Sequence, residues 1–119
     1  MDYDIRTDAT YGPLELIDAG ALADACTVPW WNRTLARVND CAVRLGVFEG
    51  AFHWHQHDRE DELFFVLDGT LLVDLEGRTV ELTARQGIMV PRGITHRTRA
   101  PKRTVVLMIE AATVVPTGD

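Results

Sequence analysis

The order of hydrophobic and polar residues changes after Asn39, where short runs of alternating residues begin and turns containing glycine separate them. A period of two is typical of strands whose two faces meet different surroundings. The runs predict strands at 42–48, 51–57, 62–67, 70–75, 79–82, 87–90, 95–99 and 104–111. Strands that follow one another this closely favour an antiparallel sandwich or barrel.

The first 31 residues show little alternation and predict a short helical leader. Asp18 can cap a helix from Ala19 to Cys26, which ends before Pro29. We expect Trp30 and Trp31 to pack across the outside of the domain or on an adjacent subunit, because large aromatic side chains are costly to leave in water. The chain then divides into a leader at 1–31, a barrel at 32–115 and a frayed tail at 116–119.

Composition fits one soluble domain. The chain has 119 residues, of which 46% are hydrophobic and 25% charged, and this length suffices for a single core. A net charge of −6 opposes binding to nucleic acid or to anionic membranes. No signal peptide or membrane span is evident, so we expect a cytoplasmic protein in which Cys26 and Cys41 are thiols packed as small apolar groups.

Chemically reactive residues concentrate in the run at 51–57, which reads Ala-Phe-His-Trp-His-Gln-His. If this run is a strand, His53, His55 and His57 point to one face, while Phe52 and Trp54 point to the other. Each buried imidazole needs partners for two ring nitrogens. The pattern therefore indicates a polar site against this face, although a solvated strand face is the alternative.

A carboxylate and a fourth imidazole complete a candidate metal site. Glu62 opens the next strand, and His96 follows the turn at 91–93. Imidazole nitrogen and carboxylate oxygen suit one divalent ion of Fe, Mn, Ni, Cu or Zn. We expect His55, His57, Glu62 and His96 to bind it, leaving positions for water, oxygen or substrate. His53 is the remaining candidate catalytic residue, as a proton shuttle, as a substitute ligand for His55 or, preferably, as a support to the ligands.

These residues form two motifs that resemble those of the cupin superfamily, in particular small single-domain cupins. The first motif comprises Gly50, His55-Gln56-His57, Glu62 and Gly69, and the second comprises Gly87, Pro91-Arg92-Gly93 and His96. The resemblance implies an all-β double-stranded jelly-roll barrel, a metal bound by the four residues named above, and frequent pairing as homodimers.

The resemblance leaves the reaction open, because one fold hosts many chemistries. We expect a metal-dependent enzyme, either a dioxygenase or an isomerase, lyase or cyclase, that acts on a small molecule chelating the metal through oxygen. The alternative is a non-catalytic cupin that binds a sugar or another metabolite. Candidate substrate-binding residues are Arg44, which suits an anionic substrate, and the apolar residues Phe64, Met89 and Met108, which serve equally well as core.

Overall fold

Eight strands and one short helix make up the fold. The structure is a computed structural model that describes residues 3–119. The elements in chain order are β1 (Asp4–Ala9), α1 (Ala19–Ala25), β2 (Trp30–Val38), β3 (Cys41–Ala51), β4 (Glu62–Asp68), β5 (Thr70–Leu75), β6 (Arg78–Thr83), β7 (Gly87–Val90) and β8 (His96–Ala111).

The long strand β8 organises the sheet. Its second half lies between β3 and β4, and its first half pairs with β5, which in turn pairs with β6. The remaining order is β1-β2-β3-β8-β4-β7, and among the described residues this path of hydrogen-bonded strands does not close into a ring. The predicted all-β fold is confirmed.

Alternation along the strands separates two hydrophobic clusters. Trp30, Phe48, Phe64 and Val106 belong to the inner cluster, whereas Trp31, Val47 and Val105 belong to an outer cluster that packs against α1. Trp30 and Trp31 accordingly lie on opposite faces of β2. Trp30 is buried in the main core, so the expectation that both tryptophans pack outside the domain is wrong for Trp30.

The sequence pattern did not predict two of the strands, β1 and β2. β1 is largely exposed and pairs, in parallel, only with β2, so no apolar period marks it. Five of the nine residues of β2 are buried, because each face of this strand meets one of the two clusters. A strand buried on both faces shows a weak period of two.

The predicted strand at 51–57 is wrong. Regular pairing of β3 ends at Ala51, and beyond it the contacts with the β8 backbone are a hydrogen bond from the Phe52 amide to the Thr98 carbonyl and the isolated bridge between His55 and His96. The ring of His53 stacks on that of Phe52, with the ring centroids 4.4 Å apart, so these neighbours do not point to opposite faces. Because the backbone is irregular in this segment, each imidazole ring can take its own orientation.

The predicted strands at 95–99 and 104–111 are one strand, β8. Its pairing with β3 skips from Ala100 to Thr104, so residues 101–103 leave the ladder. Pro101 is tolerated because it has no amide proton to donate at a position where none is required.

The predicted helix cap is confirmed, whereas the predicted frayed tail is wrong. The helix begins after Asp18, whose carboxylate accepts a hydrogen bond from the Ala21 amide at 2.9 Å, as predicted. The tail at 116–119 is not frayed, because the Asp119 amide donates to the Gln56 carbonyl at 3.0 Å and the Asp119 carboxylate accepts from the Asp58 amide at 2.6 Å.

Both cysteines are free. Cys26 packs against the outer cluster, but Cys41 is exposed and does not serve as an apolar packing residue. Within the described part of the chain, none of the helical structure is both long and apolar enough to cross a membrane.

Candidate metal centre

Three chain segments bring the predicted ligands together at one end of the inner cluster. His55 and His57 lie in the irregular segment after β3, Glu62 begins β4 and His96 begins β8. The backbones of His55 and His96 exchange two hydrogen bonds, each 2.9 Å long, which fix these two imidazoles side by side. The structure therefore brings all four predicted ligands into one group.

The ligand atoms converge. One atom from each of His55, His57, Glu62 and His96 lies within 4.8 Å of the others. Glu62 Oε1 is 3.5 Å from His57 Nε2 and 3.4 Å from His96 Nε2. All three of these atoms are buried, and none has a hydrogen-bond partner among the described residues. Buried polar atoms normally have partners, so this convergence marks a place for a ligand that accepts their lone pairs.

Backbone carbonyls orient two of the imidazoles. The Nδ1 atom of His55 donates to the His53 carbonyl at 3.0 Å, and that of His96 donates to the Ile94 carbonyl at 2.8 Å. With the proton on Nδ1, the Nε2 lone pair of each ring is free to bind a metal. The donor set therefore fits a divalent metal ion, and the four residues form a cluster that can hold one.

Protonation of the imidazoles differs across the cluster. Burial lowers the pKa of His55 to about 4, so this ring is neutral at physiological pH. Burial also acts to lower the pKa of His57, but the nearby carboxylate of Glu62 outweighs it and raises this pKa above the ordinary value. Of these two rings, His57 is the one at which a proton competes more strongly with a metal.

A second carboxyl group and an arginine lie behind Glu62. Glu110 faces Glu62 across the β4–β8 pairing, and its Oε1 accepts a hydrogen bond from Arg44 Nη1 at 2.5 Å. Burial, and then the neighbouring Glu62 carboxylate, raise the pKa of Glu110. Burial acts to raise the pKa of Glu62 too, but Glu110, His57 and His96 together hold it well below its usual range. The pair therefore keeps Glu62 ionised and Glu110 protonated.

A narrow cavity of about 20 Å³ adjoins the cluster, enough space for about one water molecule. His55 and Glu62 form its polar end. The other lining residues are Trp30, Asn32, Phe48, Phe52, Phe64, Thr98, Met108 and Pro116. Trp30 and Phe48 stack with their ring centroids 4.2 Å apart, so the walls are largely aromatic.

The other predicted site residues are dispersed. Phe64 and Met108 line the cavity, whereas Met89 is 51% exposed on the opposite side of its strand pair. Arg44 is buried but outside the cavity wall, and besides Glu110 it donates from Nε to Thr34 Oγ1 at 3.2 Å. The structure thus brings two of the four substrate-binding candidates to the cavity.

His53 lies beside the cluster rather than in the cavity wall. Its Nε2 donates to the Thr117 carbonyl at 2.6 Å, and its Nδ1 accepts from the Tyr3 hydroxyl at 3.2 Å. Both ring nitrogens are therefore engaged, and the imidazole links the start of the chain to the C-terminal segment.

Sequence reasoning missed Asn32 and Glu110. Asn32 is two residues after Trp30, so alternation along β2 would have placed both on the inner face had this strand been recognised. Glu110 lies near the end of an apolar strand, and an acidic residue in such a strand indicates that a polar partner is buried beside it. Its partner Arg44 gives the same signal in β3.

Comparisons with known proteins agree with this fold and site. A family model described as the cupin domain matches residues 43–111. The chain belongs to the cupin domain family. It is 46% identical over 80 residues to protein YdbB of Bacillus subtilis, covering 66% of this chain and 71% of that one.

Two further similarities are informative. A cupin-2 domain protein from Shewanella frigidimarina has a solved structure with a TM-score of 0.77 and 29% identity, covering 81% of this chain and 94% of that one. The polyketide synthase CurC of Streptomyces cyaneus is 44% identical over 45 residues, which are 38% of this chain and 29% of CurC.

Proposed function

We propose that this protein is a metal-dependent enzyme acting on a small molecule that binds the metal through oxygen. The observation that carries the proposal is the convergence of four ligand atoms, three of them buried without partners, at the end of a cavity. A divalent ion there would supply Lewis acidity and a template for orienting the substrate. Four protein ligands leave coordination positions free, as a catalytic site requires.

The chain's own residues have distinct tasks in this proposal. Carbonyls of His53 and Ile94 hold two imidazoles in the tautomer that binds metal. Glu110 and Arg44 keep the Glu62 carboxylate in place, and the aromatic walls exclude water from the reacting groups. His53 contributes support to the ligands through its carbonyl and through its ring contacts with Tyr3 and Thr117.

Metal content tests the proposal directly. We expect about one equivalent of a divalent ion in protein purified without added metal, measured by elemental analysis. Glu62→Gln should lower metal affinity by at least about tenfold, because a ligand is lost, and should abolish the thermal stabilisation that metal gives to the folded state. Glu76→Gln, a matched change in an exposed turn, should leave both unchanged. Equal metal content in the two variants would contradict the site.

The reaction class follows from oxygen uptake. Substrate-dependent uptake with a catechol or a diketone would establish a dioxygenase, whereas turnover without uptake would establish an isomerase, lyase or cyclase. The similarity of a 45-residue segment to a polyketide synthase makes oxygen-rich, enolisable substrates the first to assay in both arms.

A non-catalytic small-molecule binding protein is the second candidate. The observation that favours it is the engagement of both ring nitrogens of His53, which leaves this histidine without a free atom for proton transfer. Ligand binding without turnover in metal-loaded protein would support this candidate over the enzyme.

We also propose that the protein is cytoplasmic and pairs as a homodimer. Its two free thiols suit a reducing compartment. Exposed apolar residues on the outer face of the sheet, among them Met89 and Ile109, support pairing.

A further inference from the structure

Asn32 is a buried polar residue in a largely aromatic cavity wall, and its side-chain oxygen has no hydrogen-bond partner among the described residues. Its side chain is buried, with 6% exposed, and Oδ1 makes no hydrogen bond with any residue from 3 to 119. Leaving a buried amide without a partner costs about 1–3 kcal/mol. Thr34, which follows on the same face of β2, is by contrast bonded to Arg44. A partner for Asn32 is therefore missing from the chain itself.

The position of Asn32 shows where that partner would lie. Asn32 lines the same cavity as His55 and Glu62, and the rings of Trp30, Phe48 and Phe52 form the walls of that cavity. Because these residues share one small cavity, a molecule bound to a metal at the histidines would also lie beside the amide group of Asn32. An amide offers both a donor and an acceptor, so it can bind a hydroxyl or a carbonyl group.

Charge limits what can occupy this space. In the described part of the chain, no lysine or arginine lines the cavity. Arg44 already donates to Glu110, Thr34 and the Val114 carbonyl. A carboxylate or phosphate at the Asn32 end would lose its hydration without gaining a cation, which is strongly unfavourable.

We propose, on the basis of the proposed function, that the cavity selects compact, uncharged, flat molecules with a hydroxyl or carbonyl group at the Asn32 end, and that Asn32 determines this specificity. Phenols and diketones belong to this class, whereas hydroxy acids and sugar acids with a distal carboxylate are rejected. Because the cavity is about 20 Å³, a ligand must displace a wall.

The first test uses metal-free protein, so that it is independent of the metal site. Asn32→Leu removes an unpartnered amide and retains volume, so we expect an unchanged or higher melting temperature. It should also weaken phenol binding by at least about fivefold, measured by NMR titration. A clear fall in melting temperature, or unchanged phenol affinity, would show that Asn32 is structural and overturn the inference.

The second test compares charge. Metal-free protein should bind phenol at least about tenfold more tightly than benzoate, and metal-loaded protein should prefer catechol to 3,4-dihydroxybenzoate by a similar factor. Asn32→Asp should weaken binding of the neutral ligands, whereas Asn39→Asp, the same change in an exposed turn, should not. Equal or tighter binding of the acids would overturn the inference. Failure of the proposed function would appear separately, as absence of bound metal.

Discussion

At the scale of single residues, the site depends on which polar atoms are left without partners. His57 Nε2, His96 Nε2 and Glu62 Oε1 are buried and converge on one point. Neighbouring groups that do have partners, such as the Nδ1 atom of His96, set the orientation of those that do not. Metal affinity is therefore sensitive to protonation at the individual rings.

His57 sets the pH dependence of metal binding. Its pKa is raised, whereas that of His55 is lowered to about 4. A proton on His57 must leave before the metal binds, so affinity should fall as pH drops through the raised pKa of His57, by roughly tenfold per pH unit below it. Titration calorimetry between pH 5 and 8 measures this change, and constant affinity over that range would contradict the ligand set.

Arg44 and Glu110 form a buried pair whose single and double removal should differ. Arg44→Met leaves the buried carboxyl group of Glu110 without its hydrogen-bond partner and should lower the free energy of unfolding by about 1–3 kcal/mol. Arg44→Met combined with Glu110→Leu should recover stability to within about 1 kcal/mol of wild type. Because Glu110 faces Glu62, the double variant should still bind metal more weakly. Urea unfolding and metal titration of the wild type, the two single variants and the double variant complete the thermodynamic cycle. If the losses of stability in the single variants add up in the double variant, the pairing is refuted.

At the scale of elements, the cavity wall depends on the close approach of β3 to an aromatic ring. Gly46 lies in β3, and a Cβ atom added there would be 2.2 Å from Phe48 Cζ. The missing side chain lets the Phe48 ring lie flat over this strand and stack on Trp30. Strand β3 therefore contributes part of the cavity wall as well as hydrogen bonds to the sheet.

Gly46→Ala should consequently destabilise the protein by about 1–3 kcal/mol, as overpacking of a core does. The shifted Phe48 ring should also change ligand affinity. Gly20→Ala is the matched control, since its Cβ would have Asp18 Oδ1 at 3.6 Å as its nearest neighbour and alanine favours helix by up to about 1 kcal/mol. Thermal unfolding should separate the two variants, and equal melting temperatures would mean that Phe48 accommodates the methyl group.

At the scale of the whole molecule, the outer face leaves apolar residues uncovered. Met89, Leu63 and Ile109 occupy paired positions on β7, β4 and β8, so they form a row across the sheet. Met89 is 51% exposed and Ile109 37%. The segment before α1 also exposes Leu14 and Leu16. A second copy of the chain would supply an apolar partner for the row.

Sedimentation equilibrium tests this pairing. We expect a mass of about twice the 13.3 kDa of the chain, because association would bury the exposed apolar row. Ile109→Lys should shift the equilibrium to the monomer. Ile94→Lys, an equally exposed residue outside the row, should not. A wild-type monomer at high concentration would refute the homodimer.

The sequence by itself determined the fold class, most strands after Asn39, the helix cap at Asp18 and the four clustered ligands. These features depend on the local period of hydrophobic residues, on the residues that form turns and on residue types that few other roles require. Tertiary structure decided the rest. Asn32, Glu110 and Arg44 acquire their roles from partners far along the chain, and local pattern does not encode which strands meet. The same reason explains why 51–57 is not a strand, since the place where β3 stops pairing regularly with β8 depends on both strands and not on local alternation.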